Sequence, residues 1–165
     1  MKEQLARTIA TLGFYDCFGA RLPAPGTCGS LVAVLSVCMI PPAHWVLSLF
    51  LLTLAATVLG VWSCRHTLAQ FPENPDPSFI VIDEVAGQWA ALLFAGGSLP
   101  WMVVSFGLFR LLDIWKPGPI GALDRMQPPS LLGKAWVIMA DDLLAGIVTS
   151  IIIFILQQLL SLYIY

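Results

Sequence analysis

Residues 139–157 read MADDLLAGIVTSIIIFILQ, from Met139 to Gln157. Two adjacent carboxylates, Asp141 and Asp142, stand at the lip of an apolar run, and residues 143–165 carry no charge at all. A run of that length crosses the roughly 30 Å hydrocarbon core of a bilayer as a helix. Carboxylates at the edge of hydrocarbon are costly to keep, and where they occur they usually serve a function.

The rest of the chain has the same character. It is 58% hydrophobic and only 11% charged, with mean hydropathy +0.85, against about 25% charged residues in an ordinary soluble domain. A 165-residue fold cannot bury that much apolar surface against itself, so its solvent is lipid. We read residues 1–165 as a single membrane-embedded domain. The net charge of −2 offers no electrostatic basis for binding nucleic acid. Cys17, Cys28, Cys38 and Cys64 contain no C-x-x-C pair and read as buried reduced thiols. The first 22 residues lack the uninterrupted apolar core of a signal peptide. Leu5, Ile9 and Leu12 recur there at helical spacing, as in a short helix lying on the membrane surface.

Three charge-free stretches run over residues 22–64, 85–109 and 143–165. Pro41-Pro42 breaks the first into limbs at 29–40 and 43–64, because consecutive prolines remove helix donors and clash with the preceding turn. The run Gly96-Gly97-Ser98-Leu99-Pro100 breaks the second into limbs near 83–95 and 100–113. The third is one span. The expectation is an all-α integral membrane protein with about five membrane-embedded helices, two of the bends being short hairpins. All eight Lys and Arg fall in residues 1–21, 65–84 and 110–142, so these segments share one face, which the positive-inside rule makes cytoplasmic. Limbs of 12–14 residues reach only about 18–21 Å, short of a full crossing. They must extend through their polar ends, thin the bilayer or penetrate part way.

Two acidic pairs, Asp83-Glu84 in IDEVAGQW and Asp141-Asp142 in ADDLLAGI, each read as opening an apolar helix. Gly87 follows Asp83 by four residues and Gly146 follows Asp142 by four, one turn deeper on the same face. Such glycines allow two helices to approach closely, which would draw the carboxylates together. Carboxylates so placed need a cation, and hard oxygen ligands suit Mg²⁺; capping of the helix starts is the simpler alternative. In FRLLDIWKPGPIGALDR, Arg110 and Asp113 lie three apart and Lys116 follows. Arg110, Lys116 and Arg125 gather near the four acids, and cations beside a carboxylate-held metal are what phosphoryl oxygens require, although Arg110 could merely snorkel. In PAPGTCGSL a Pro/Gly turn enters a helix with Thr27 and Ser30 at its start, an arrangement suited to an anion or to plain capping. His44 reads as interfacial and His66 as a bystander on the charged face.

These motifs, in this order, resemble the phosphatidylglycerophosphatase A family: PGTCGSL, IVIDEVAGQW, FRLLDIWKPGPI, DR at 124–125 and IMADDLLAGI. The resemblance covers nearly the whole chain. It implies Mg²⁺-dependent removal of the phosphomonoester from phosphatidylglycerophosphate at a bacterial inner membrane, with the active site facing the cytoplasm. Two features depart from the family pattern. The approach to the last motif, LLGKAWVIMADD, keeps only Gly133 of a glycine-rich run and carries Lys134 and Trp136, and Cys28 replaces a larger residue.

On that basis Asp83, Glu84, Asp141 and Asp142 are expected to hold Mg²⁺. Arg110, Lys116 and Arg125 are expected to neutralise phosphoryl oxygens, with Thr27 and Ser30 cradling others. Asp113 or Asp124 would transfer protons. The rival from another class is a cation or proton transporter, which would place its acids at mid-helix with polar groups continuing to the far side. The number of ions and the oligomeric state are not legible.

Overall fold

The computed structural model describes residues 1–19, 22–74 and 77–164. Arg21 and Asp76, counted among the charged segments, and Tyr165 lie outside the described residues. Every regular element among the described residues is helical: α1 (Lys2–Ala10), α2 (Phe14–Phe18), α3 (Pro25–Ser36), a 3₁₀ turn (Pro42–His44), α4 (Trp45–Leu68), α5 (Ile82–Ala91), α6 (Leu99–Trp115), α7 (Pro119–Asp124) and α8 (Leu131–Ile164).

Among the described residues, two segments are long and apolar enough to cross a membrane: Pro42–Leu68, with mean hydropathy 2.1, and Leu131–Tyr163, with 2.3. Their outward faces carry Val46, Leu47, Phe50, Leu51, Leu54 and Val58 on α4, and Ile147, Ile151, Phe154 and Ile155 on α8. The spacing is that of one helix face. Apolar stripes of this extent left uncovered call for a lipid solvent.

The short helix α5 is the hub, packed on α8, α4, α3 and α6. Its small residues Ala86, Gly87, Ala90 and Ala91 are buried and allow neighbours to close in on all sides. A ten-residue helix that ends inside an apolar bundle leaves its last carbonyls without partners, and in such a setting each orphan is costly. Three other elements supply the donors. Trp45 Nε1 donates to the Leu92 carbonyl at 2.9 Å, Ser105 Oγ to Ala91 at 2.8 Å and Gln157 Nε2 to Phe94 at 2.8 Å. The length problem of this limb is thus met by capping in place. Gly96 and Gly97 then take φ of 60° and 73°, which glycine adopts without strain.

The two uncharged breakers meet at this end: a Cβ on Gly97 would lie 3.5 Å from the Trp45 ring and 3.8 Å from Pro42. The expected bends occur at both breakers, but α3 packs against α5 and α6 rather than along α4. Trp89 on α5 fastens it, donating to the Ala33 carbonyl at 3.1 Å.

Three expectations need correction. The acidic pair Asp141-Asp142 does not open a helix. α8 begins at Leu131, so the pair sits ten residues in, about 15 Å along the axis. The expected surface helix exists as α1, but it docks on α4 through Ala6 and Ala10, while Leu5 points outward. Of the cysteines only Cys64 is buried; all four are free.

Candidate active site

At the end opposite the two breakers a cavity of about 810 Å³ opens among α3, α5, α6, α7 and α8. Each wall is set by local chain chemistry. α3 begins with Pro25 at its first position after Ala24, which is left-handed at φ 49°; proline's fixed φ suits that start. Gly26 follows, buried against Glu84. A methyl group there would collide with the Glu84 carboxylate and stand 3.2 Å from Arg110 Nη2. α5 enters after Val81, whose N–H donates to the Ala10 carbonyl at 2.9 Å. This places Asp83 and Glu84 in the first turn, where the helix dipole favours acids.

α5 and α8 cross where the two predicted glycines meet. A Cβ on Gly87 would lie 2.7 Å from the Asp142 carbonyl oxygen and from the Phe109 ring, and one on Gly146 would collide with the Gly87 carbonyl oxygen. The close approach read from the sequence is therefore present, although its acids lie at a helix start on α5 and mid-helix on α8. One oxygen each of Asp83, Glu84 and Asp142 falls within 4.8 Å of the others. Asp83 Oδ1 and Glu84 Oε2 are buried without a hydrogen-bond partner, as are Arg110 Nε and both amide atoms of Gln88, one turn below Glu84. Buried carboxylate oxygens in such a cluster are unfavourable unless a cation or proton joins them. The donor set is all oxygen, the chemistry that fits Mg²⁺.

Asp141 stands apart from this trio. Its Oδ2 accepts from Lys116 Nζ at 2.7 Å, and the same ammonium is paired with Asp124. Lys116 caps α6 in the left-handed conformation, φ 48°, at a cost of about 1 kcal/mol for a non-glycine residue, and its two carboxylates tie the side chain inward. Burial alone would lower the pKa of this ammonium, but hydrogen bonds to Asp124 and Asp141 outweigh it and hold the value above the ordinary lysine range. Arg110 Nη1 makes an ion pair with Asp113 Oδ2 at 2.7 Å. The Asp142 carboxylate has Asp83, Asp113 and Glu84 as its charged neighbours.

Of the residues singled out from sequence, Thr27, Asp83, Glu84, Arg110, Asp113, Lys116, Asp124, Asp141 and Asp142 all line the cavity. Ser30 does not. It is fully buried behind the wall, donating to the Gly26 carbonyl at 2.9 Å and accepting from Arg110 Nη1 at 3.3 Å, so it braces the arginine. Arg125 is exposed and does not line the cavity, and His66 instead packs edge-on against Trp62. Ser78, Gln127 and Lys134 also line it. Among them, only Lys134 carried a sequence signal, its place in the last motif. Mid-helix acids would suit a transporter, but beyond Asp142 the inward hydroxyls are taken by their own helix: Thr149 bonds Ala145 and Ser150 bonds Ile147.

A profile of the family described as phosphatidylglycerophosphatase A matches residues 9–157. Phosphatidylglycerophosphatase A of Escherichia coli is 32% identical over 140 residues, 83% of this chain and 77% of that one. The Haemophilus influenzae protein of the same name is 34% identical over 143 residues, 85% and 84% of the two chains. A Bacteroides thetaiotaomicron protein named "Putative phosphatidylinositol-3-phosphatase" is 31% identical over 145 residues, 79% of this chain and 81% of that one. No solved structure matches. With the family profile covering most of its length and acids, cations and glycine crossing assembled around one cavity, the chain belongs to the phosphatidylglycerophosphatase A family of lipid phosphatases.

Proposed function

We propose that the chain hydrolyses the terminal phosphomonoester of phosphatidylglycerophosphate, giving phosphatidylglycerol and inorganic phosphate, with Mg²⁺ held by Asp83, Glu84 and Asp142. The observation that carries this reading is the trio of carboxylates within 4.8 Å in the same cavity as Arg110 and Lys116. The charge balance supports it. Six carboxylates line the cavity against the three cations Arg110, Lys116 and Lys134, so a polyanionic lipid would be repelled unless divalent cations enter with it. When bound, Mg²⁺ supplies charge neutralisation and Lewis acidity toward phosphoryl oxygens.

The chain's own residues do the rest. Arg110 is held by Asp113 and Ser30 and offers its remaining N–H groups to non-bridging oxygens. Lys116, fixed between Asp124 and Asp141, adds a point charge, and Thr27 offers a hydroxyl at the cavity wall. Hydrolysis forms one P–O bond from water and breaks the ester P–O bond, so one proton leaves the water and one reaches the departing alkoxide. Asp113 and Asp124 are the carboxylates available for those transfers.

The apolar stripes of α4 and α8 hold the protein across the bilayer in several passes, with the cavity at the cytoplasmic face. There the lipid presents its headgroup without leaving the membrane. The test is phosphate release from purified, detergent-solubilised protein given phosphatidylglycerophosphate, with Mg²⁺ and with excess chelator. Release that needs Mg²⁺ supports the reading; release that persists in chelator overturns the metal, and none under either condition overturns the substrate. A phosphatidylinositol 3-phosphate arm addresses the third relative's name.

A further inference from the structure

Lys134 differs from the other cations of the cavity. Arg110 and Lys116 are committed to carboxylates, whereas Lys134 lines the same cavity and forms no ion pair among the described residues. It lies seven residues before Asp141, two helical turns along the same face of α8, about 10.5 Å toward the mouth. Val137 and Ile138 fill the wall between them, and Gln127 lines the cavity on the segment whose Pro128 packs against Gly133, the neighbour of Lys134. A lysine in the first turn of a helix works against the dipole, so local helix energetics do not account for it.

Resting on the phosphatase reading above, we propose that Lys134, with Gln127, forms a second anion subsite that takes the bridging phosphodiester of the lipid. The terminal monoester then reaches down to the carboxylate trio. Two phosphates joined through a glycerol are separated by five bonded atoms, a span that an extended lysine side chain at the mouth can serve. The subsite makes the enzyme selective for phospholipids that carry a phosphomonoester beyond a phosphodiester. Phosphatidic acid offers the monoester alone.

The experiment compares wild type, Lys134→Ala and Lys134→Glu on phosphatidylglycerophosphate and on phosphatidic acid, in neutral detergent without other anionic lipid. Lys134→Ala should lower kcat/KM for phosphatidylglycerophosphate about tenfold or more, through KM, as expected for one charge-assisted contact. Lys134→Glu should lower it further. Lys134→Ala should not lower kcat/KM for phosphatidic acid by more than about twofold, and Lys134→Glu, which adds a negative charge to the cavity, should cost phosphatidic acid clearly less than phosphatidylglycerophosphate. An equal loss on both lipids would overturn the subsite in favour of a general charge effect. Unchanged kinetics on both would overturn it outright. A loss seen only after anionic vesicles are added would assign Lys134 to the membrane surface and overturn it too. Wild-type turnover of phosphatidylglycerophosphate in the same series separates these results from a failure of the phosphatase reading, which would leave no turnover to compare.

Discussion

Gly146 lies so close to Gly87 that a methyl group on it would overlap the Gly87 carbonyl oxygen. That single contact sets how near α5 comes to α8, and so how near Asp83 and Glu84 come to Asp142. Gly146→Ala must push the two helices apart, because the atom it meets is backbone and cannot swing away. Overpacking of this kind costs about 1–3 kcal/mol. The variant should melt at lower temperature and lose most of its phosphatase activity, whereas Gly107→Ala, where a Cβ meets nothing within 4 Å, should do neither. Thermal unfolding and phosphate release on the purified variants check this.

Trp45 is a cap as much as a core residue. Its indole N–H satisfies the Leu92 carbonyl at 2.9 Å, far in the chain but adjacent in space. Trp45→Phe keeps the ring and removes the indole donor, leaving the Leu92 carbonyl with the Ala95 N–H alone at 2.9 Å, a loss of about 0.5–1.5 kcal/mol. Chemical or thermal unfolding should show that loss. Activity per folded molecule should stay near wild type, since the cap lies at the end of α5 opposite the cavity.

Arg110 bonds Asp113 at 2.7 Å and Ser30 at 3.3 Å. Lysine keeps the charge and loses the planar fork. Arg110→Lys should lower kcat/KM by about tenfold to a hundredfold, and Ser30→Ala should show a smaller loss in the same direction. If the arginine only snorkelled to the interface, lysine would serve as well and the kinetics would not change.

The N-terminal corner carries a pH signature. Asp16 accepts from the Thr8 hydroxyl at 2.6 Å and pairs with Arg7 at 2.8 Å; the hydroxyl first, then the guanidinium, holds its carboxyl below the usual range. A depressed folded pKa stabilises above the unfolded value of about 3.9 and loses that contribution as pH falls through the folded value. The melting temperatures of wild type and Asp16→Asn should therefore differ at neutral pH and converge only in acid below that value. A gap unchanged at low pH would exclude the carboxylate as its source.

Sidedness is open to direct labelling. In a cysteine-free background, single cysteines at Ser78 and Ser130, both exposed beside the cavity, should react with an impermeant thiol reagent only after cells are opened. One at Ser98, by the uncharged breakers, should react from outside. Labelling of Ser78 and Ser130 from opposite sides would contradict the cytoplasmic cavity.

Much of the site was legible because scarce charge is informative. With so few ionisable groups in an apolar chain, each must be placed with others, and the glycine four residues after each acid gave the crossing. The start of α8 was hidden for the same reason. The first uncharged residue after Asp142 read as the helix boundary, but residues 131–140 hold no proline and a single glycine, Gly133, near the helix start, and lysine, alanine, leucine and methionine carry a helix well. Sequence adjacency likewise suggested that α3 would lie along α4. The indole of Trp89 and the bare backbone of Gly29 against Val81 draw it to α5 instead, and no periodicity encodes such a choice. Ser30 carried the right chemistry for an anion, but only its neighbours reveal that the arginine uses it.

The shared carboxylate site is tested most directly by ion binding, without any turnover. Purified wild type, Asp83→Asn and Asp142→Asn would be titrated with Mn²⁺ as a spectroscopic substitute for Mg²⁺, counting free ion by electron paramagnetic resonance, with unfolding curves to confirm that each variant is folded. Wild type should bind the ion and release it to excess Mg²⁺, and each folded variant should bind about tenfold or more weakly. Wild-type affinity retained in both variants would contradict a site built from residues on α5 and α8 together.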